Sequence, residues 1–196
     1  ELETNYMVND MLDLMFVASF GNWKFDGDAN GNYQETEYNS EGQAIGYTTT
    51  EYAYALDGLY VGDMPQTSYV LGVTLKPIKD LRIQAIHKMY DKNYSDWSPS
   101  AREFDGTNDD ADRAQVWEAP SYNRLDLHMS YKLPKVKDLD MMLTANIFNV
   151  LDEVYVQDAV DNSQYNGYGS KQHLPHNAEV FLGTPRYANI GLSIGF

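Results

Sequence analysis

Residues 124–133 read Arg-Leu-Asp-Leu-His-Met-Ser-Tyr-Lys-Leu, and apolar and polar side chains alternate strictly along them. Successive side chains of a β-strand point to opposite faces, so this stretch predicts a strand with one apolar and one polar face. The same alternation recurs over residues 2–8, 12–20, 69–75, 81–85, 139–147 and 189–196. Since no segment has the 3.6-residue period of an amphipathic helix, the sequence predicts an all-β protein with about seven strands.

The connections between these strands alternate between short and long. Short turns lie near residues 9–10, 77–80 and 134–138, and long polar connections cover roughly residues 21–54, 91–120 and 152–183. Soluble sandwiches mix loop lengths, whereas outer-membrane barrels have tight turns on one side and long loops on the other. A tilted strand needs about 9–11 residues to cross the hydrocarbon, which roughly matches these segments. The pattern favours an antiparallel transmembrane β-barrel.

Composition and charge narrow the possible partners. The chain has 196 residues, a net charge of −15 and no Cys, which excludes a disulfide framework, a thiolate zinc site and a cysteine nucleophile. So acidic a chain argues against a nucleic-acid partner. The three long connections hold 19 acidic and five basic residues. This acidic excess either keeps the connections soluble or forms an external surface that attracts cations. Because no leader precedes Glu1, any targeting signal was removed or lies upstream.

The chain ends inside its last strand, on Phe196. Its last eight residues resemble the C-terminal signal that hands outer-membrane barrels to their insertion machinery, in which alternating apolar residues end on an aromatic side chain. The residues that carry this resemblance are Asn189, Gly191, Ile194 and Phe196.

Two further stretches resemble one family. Residues 146–155, Asn-Ile-Phe-Asn-Val-Leu-Asp-Glu-Val-Tyr, look like the penultimate strand of TonB-dependent outer-membrane receptors. Residues 183–191, Gly-Thr-Pro-Arg-Tyr-Ala-Asn-Ile-Gly, resemble the beginning of their final strand, and residues 61–73 look like a strand that follows a long loop. The resemblance covers essentially the whole chain, most closely residues 120–196, and points to receptors of the Bacteroidetes outside the large glycan-importing subgroup.

The resemblance implies that residues 1–196 are the C-terminal segment of a larger barrel domain. Receptors of this family are 22-stranded barrels with an N-terminal plug, so the seven strands correspond to strands 16–22. The implied function is active nutrient uptake at the outer membrane of a Gram-negative cell. The implied partners are the rest of the barrel and its plug, TonB acting through the missing N-terminal part, the barrel-assembly machinery, and a surface lipoprotein.

Residues 26–37 match the template of an EF-hand calcium loop. The template places oxygen donors at Asp26, Asp28, Asn30, Asn32 (through its carbonyl) and Glu37. Gly31 would supply the sharp turn that wraps these donors round one Ca²⁺ ion. An external loop rich in Asp, Asn and Gly also matches such a template by composition alone, so an ordinary turn-rich loop is the alternative.

The remaining chemistry is sparse. His173 and His176 lie either side of Pro175, and no nearby carboxylate pair completes a transition-metal site. A lumen-facing His128 is predicted to be a hydrogen-bonded residue of the barrel wall. We therefore expect no enzyme activity. Aromatic side chains in the long connections either pack as girdles or contact a ligand; the candidates for contact are Trp97, Trp117, Tyr165 and Tyr168.

Two alternatives to the receptor remain at this point. The first is a small free-standing outer-membrane barrel with an eighth strand within residues 43–54. The second is a soluble β-sandwich that binds calcium or a glycan.

Overall fold

The computed structural model describes residues 1–104, 111–135, 137–163, 165–166 and 172–195. Its strands are β1 Leu2–Asn9, β2 Leu12–Phe20, β3 Ala29–Tyr38, β4 Ala44–Tyr54, β5 Pro65–Leu75, β6 Leu81–Tyr94, β7 Asp96–Trp97, β8 Glu103–Phe104, β9 Glu118–Ala119, β10 Tyr122–Lys132, β11 Asp140–Phe148, β12 Val156–Asp161, β13 Glu179–Leu182 and β14 Tyr187–Gly195. One four-residue helix, α1, covers Pro99–Arg102, and a 3₁₀ turn covers Pro175–Asn177. In the part of the chain that the structure describes, no helix has the length and apolar character needed to cross a membrane.

Seven long strands form one antiparallel sheet in the order β1-β2-β5-β6-β10-β11-β14. They are the seven strands that alternation predicts. When the strands inside the long connections are left aside, each of the seven pairs with the next one along the chain. The short turns also lie where the sequence predicts them, between β1 and β2, between β5 and β6, and between β10 and β11. The described residues of β1 and β14 pair only with β2 and β11, so the sheet is open and no closed barrel forms among them.

The register of the sheet sorts apolar from polar side chains. One row across the seven strands consists of Tyr6, Leu14, Val73, Ala85, Leu127, Ile147 and Ala188. The adjacent row on the opposite face consists of Met7, Asp13, Thr74, Gln84, His128, Asn146 and Asn189. A slip of one residue would exchange the two faces, so this register preserves the amphipathic pattern of every strand.

The apolar face is not covered by any other described part of the chain. The exposed fraction is 80% for Ile190, 64% for Phe20 and 63% for Tyr6. The buried apolar cluster instead lies among the connections, where Leu56, Leu59 and Val116 pack together. The large sheet is therefore a single layer.

The long connections contain more regular structure than the sequence predicts. Residues 21–54 were expected to be a polar loop, but β3 and β4 pair over their whole length as a hairpin. Residues 44–54 are rich in Thr and Tyr, which favour extended backbone, and both hairpin faces are largely exposed. Without a buried face there is no apolar period to detect. The eighth strand considered within residues 43–54 exists as β4, but it pairs with β3 and β8, outside the seven-stranded sheet.

Candidate functional site

The described parts of the three long connections, which follow β2, β6 and β11, fold together into what we call the loop assembly. Two strand pairings join them: β8 pairs with β4 at Phe104 and Ala53, and β7 pairs in parallel with β12 at Asp96 and Val160. A small apolar cluster fills the space between the first two connections, with the rings of Tyr54, Tyr60 and Trp97 packed round it. Each connection is thus held by its neighbours.

The base of the third connection is built from the two stretches that carry the family resemblance. The amide of Gly183 donates to the carbonyl of Tyr155 at 2.9 Å, and the Tyr155 ring lies 1.9 Å from where a Cβ on Gly183 would be. The Arg186 guanidinium meets the Asp152 carboxylate at 3.3 Å. The motif residues therefore contact one another where the connection leaves β11 and enters β14.

The buried Asn149 side chain links the two ends of the third connection at the same base. It is fully buried, donates to the carbonyls of Glu153 at 2.9 Å and Thr184 at 3.2 Å, and accepts from the Glu153 amide at 3.1 Å. The backbone N–H of Asn149 donates to the Asp126 carboxylate at 2.9 Å. Its φ of 50° lies in the left-handed region, which Asn tolerates better than most residues. The sequence marks Asn149 as part of a motif but does not reveal these partners.

The polar face of the sheet carries a hydrogen-bonded row. The His128 ring contacts the Asn146 amide at 2.8 Å, and Asn146 in turn donates to Asn189 at 2.8 Å. The predicted hydrogen bonding of His128 is confirmed, and its place in a barrel wall stays a prediction. Asn189 of the predicted assembly signal belongs to this row, while the Gly191 carbonyl accepts from Thr144 at 3.3 Å.

The other residues of the assembly signal differ in placement. Ile194 pairs with Met141, and its side chain is exposed on the apolar face. Phe196 lies outside the described residues. The assembly role of all four residues stays a prediction.

The residues of the calcium template are not brought round one centre. Asn30, Asn32 and Glu37 lie along β3, where about 3.3 Å per residue carries the chain roughly 20 Å from the first to the last. Gly31, expected at a sharp turn, instead lies opposite Tyr52 in the hairpin. A metal-holding group of three His, Asp or Glu residues is absent from the described residues. Calcium binding here stays a prediction, and it would require β3 to leave its pairing with β4.

Asp28 of this template already has a full set of partners. It accepts two bonds of 2.8 Å from Arg113 and backbone bonds from Leu56 at 3.0 Å and Asp57 at 3.1 Å. The Arg113 guanidinium holds the pKa of the Asp28 carboxyl well below its usual range. Asp28 therefore ties the first connection to the second.

The aromatic candidates for ligand contact have different environments. Trp97 packs on the apolar cluster, with its ring centroid 5.1 Å from that of Tyr54. The Trp117 carbonyl accepts from the Ser95 amide at 2.9 Å, and Tyr165 is 77% exposed. Tyr168 lies outside the described residues. Trp97 thus serves packing, whereas Tyr165 presents its ring to the surroundings.

An open pocket of about 380 Å³ lies on the hairpin where β8 joins it. Its lining residues include Asn30, Asn32, Glu51, Tyr52 and Phe104. Two amides and a carboxylate beside aromatic rings can hydrogen-bond a polar ligand and stack on its flat or apolar parts. Phe104 was not identified from the sequence, because only β-pairing across about 50 residues brings it to the hairpin.

A buried ionic cluster surrounds His173. No carboxylate pair lies near this residue in sequence, yet Asp112 and Asp161 both contact its ring, together with Arg102. Asp112 is 61 residues away along the chain, so local spacing carries no signal of the cluster.

Comparisons with known proteins give little beyond this geometry. No family model and no curated protein match the sequence. Among solved structures, the chain is similar to the ferric-catecholate import receptor Fiu from Escherichia coli K12 in its closed form. The two are 17% identical with a TM-score of 0.41, over 98% of this chain and 27% of the receptor. The chain thus spans about a quarter of the length of that receptor.

Proposed function

We propose that this chain is part of the wall and external connections of a TonB-dependent outer-membrane receptor that takes up a nutrient actively. The observation that carries the proposal is the single-layer sheet, with one continuous apolar face and one hydrogen-bonded polar face. Short turns at one end of this sheet and a structured loop assembly at the other support it, as does the motif resemblance described above.

Lipid is the environment that suits the uncovered face. Monomeric soluble proteins rarely expose contiguous apolar patches larger than a few hundred Å². In a transmembrane barrel the apolar side chains meet hydrocarbon and the alternate side chains line the lumen. A soluble sandwich would need a second layer over Leu14, Leu71 and Ile190, and the described residues contribute none.

The open edges indicate which partners the proposal requires. In hydrocarbon every backbone N–H and C=O needs a partner, so β1 and β14 have to pair with further strands. We assign these strands to the rest of the same barrel, which would enclose a plug that TonB engages. Assembly machinery would insert the barrel, and a surface lipoprotein could cover the loop assembly.

Ligand contact belongs to the loop assembly under this proposal. The hairpin pocket is the candidate contact site there, and Trp117 and Tyr165 are further contacts. Trp97 would act only indirectly, by packing against Tyr54, which belongs to strand β4 of the hairpin.

The proposal is tested by the mass of the native protein after extraction from membranes with detergent. We expect a single detergent-dependent species several times heavier than the 22.3 kDa of this chain. A detergent-dependent species near that mass would favour the small free-standing barrel instead. The same mass in plain buffer would leave the soluble sandwich.

A further inference from the structure

Four ionisable side chains from two connections meet inside the loop assembly. Arg102 and Asp112 belong to the connection after β6, whereas Asp161 and His173 belong to the connection after β11. Arg102 and Asp161 are each 1% exposed and Asp112 is 8% exposed. The cluster is therefore shielded from water although it lies between two surface connections.

The His173 ring joins the two connections. Its Nε2 lies 3.0 Å from Asp112 Oδ2, and its Nδ1 is in direct contact with Asp161 Oδ2. A neutral imidazole has one N–H, so only the imidazolium can donate to both carboxylates at once. The geometry of the bridge thus fits the charged form of His173.

Arg102 anchors the cluster on the side of the second connection. It donates to the carbonyls of Asp112 at 2.9 Å and Ala114 at 2.7 Å, and its guanidinium lies 3.6 Å from the Asp161 carboxylate. With His173 protonated, two cations face two carboxylates. With His173 neutral, one buried negative charge is left without a counter-charge, which is costly in a shielded site.

The surroundings of His173 are also consistent with a switch. The charged groups that face its ring are Asp161, Arg102 and Asp112, and the Asn162 amide lies 3.3 Å from Nδ1. On deprotonation Nδ1 could accept from Arg102 or Asn162, but Asp161 would then face a lone pair. Neutral His173 can keep its Nε2–H bond to Asp112. It favours an arrangement in which Asp161 moves away, however, and the contact between Asp161 and Arg102, which joins the two connections, is then lost.

We propose that His173 is a pH-dependent latch that holds the second and third connections together when protonated and releases them when neutral. The hydrogen bond to Asp161 is the main cause that raises the pKa of His173. The stabilisation is accordingly complete below the ordinary His pKa of about 6.5 and is lost as pH rises through the higher folded value. The latch is independent of the proposed transport function, but both connections lie on the side that function assigns to ligand entry.

The test is hydrogen–deuterium exchange of the intact protein in detergent from about pH 6 to about pH 10, a range that brackets the His titration. After correction for the intrinsic pH dependence of exchange, wild type is expected to lose protection in residues 156–163 and 111–117 as pH rises. His173→Gln should remove this transition. His176→Gln is the matched control, since His176 is exposed three residues away, and it should behave as wild type.

Two outcomes would overturn the latch. One is wild-type protection that does not change with pH; the other is an unaltered transition in His173→Gln. If His173→Gln does not fold, Asp112→Asn keeps an acceptor beside the ring and removes one negative charge. Its transition should then shift to lower pH by about one unit, and an unshifted transition would equally refute the proposal.

Discussion

At the scale of single residues, contacts between the two motif stretches explain why particular residue types stand there. Gly183 leaves room for the Tyr155 ring, which also stacks on Tyr122 with ring centroids 4.3 Å apart. Any side chain at residue 183 would have to displace a buried ring at the base of the third connection. The glycine of the Gly-x-Pro-Arg pattern is thus accounted for by packing.

Gly183→Ala should consequently destabilise the protein by about 1–3 kcal/mol, the usual cost of overpacking a filled site. Gly46→Ala is the control, because a Cβ there would come no closer than 3.8 Å to its nearest neighbour, Glu37 Oε2. Thermal unfolding in detergent measures both. Equal melting temperatures for the two variants would contradict the packing argument.

A second prediction concerns pH and Asp63. Loss of surrounding water raises the pKa of the Asp63 carboxyl to about 6, and the carboxylates of Asp158 and Asp96 add to the rise. Between pH 3.8, the ordinary value, and about pH 6 the folded state binds more protons than the unfolded state. Stability therefore falls as pH rises through this interval.

Asp63→Asn removes that dependence, so its melting temperature should fall less than that of wild type between the two pH values. Asp26→Asn removes one exposed carboxylate elsewhere in the loop assembly and should leave the wild-type profile unchanged. If Asp63→Asn and wild type show parallel profiles, the proton on Asp63 does not affect folding.

Residues that act through distant partners were beyond prediction from the sequence. The hydrogen bonding of His128 could be predicted because it follows from the polar face of an alternating strand. That of His173 could not, since its partner Asp112 comes from another connection and only the assembled fold brings them together. The EF-hand spacing is matched locally, yet the backbone at Asn30 and Asn32 is extended, so calcium binding stays a prediction.

At the scale of strands, the apolar face makes the sharpest prediction. Leu143 lies in the middle of β11, between Tyr131 and Leu192 in the register. If this face meets lipid, Leu143→Arg should cost about 2–4 kcal/mol, as expected for a cation near the bilayer midplane. Unfolding of the reconstituted protein by denaturant gives the value.

Met142→Arg is the matched control for this experiment. Met142 is the preceding residue of the same strand, is 43% exposed and lies on the polar face between Lys132 and Ser193. An arginine there can be hydrated in a lumen, so the loss of stability should be clearly smaller. Equal losses would show that the two faces do not differ in environment.

All seven strands of the large sheet were predictable, because each has one apolar face and a period of two. The hairpin β3–β4 was not, since strands exposed on both sides carry no such period. The strands of the small sheet β13-β12-β7 were not either, since they are only two to six residues long. A buried face gives the sequence of a strand an alternating apolar pattern. The strands inside the connections lack this pattern and form through pairing and packing between connections.

At the scale of the whole molecule, the proposed function requires the sheet to reach and enter the outer membrane. Deletion of Phe196 should reduce the amount of inserted protein while its synthesis stays unchanged. Fractionation of membranes followed by immunoblotting measures both quantities. Phe196→Tyr keeps an aromatic side chain at this position and should insert normally; normal insertion of the deletion variant would refute the assembly signal.

The pairing of β8 with β4, and of β7 with β12, has a consequence for how such a surface diversifies. A connection that stood alone could be exchanged between homologues as a cassette. Here a graft of the second connection alone would lose both pairings, the ion pair of Arg113 with Asp28 and the cluster round His173. Selection for new surface chemistry would therefore have to act on all three connections as one inherited block, or be confined to exposed positions such as those of the hairpin tip.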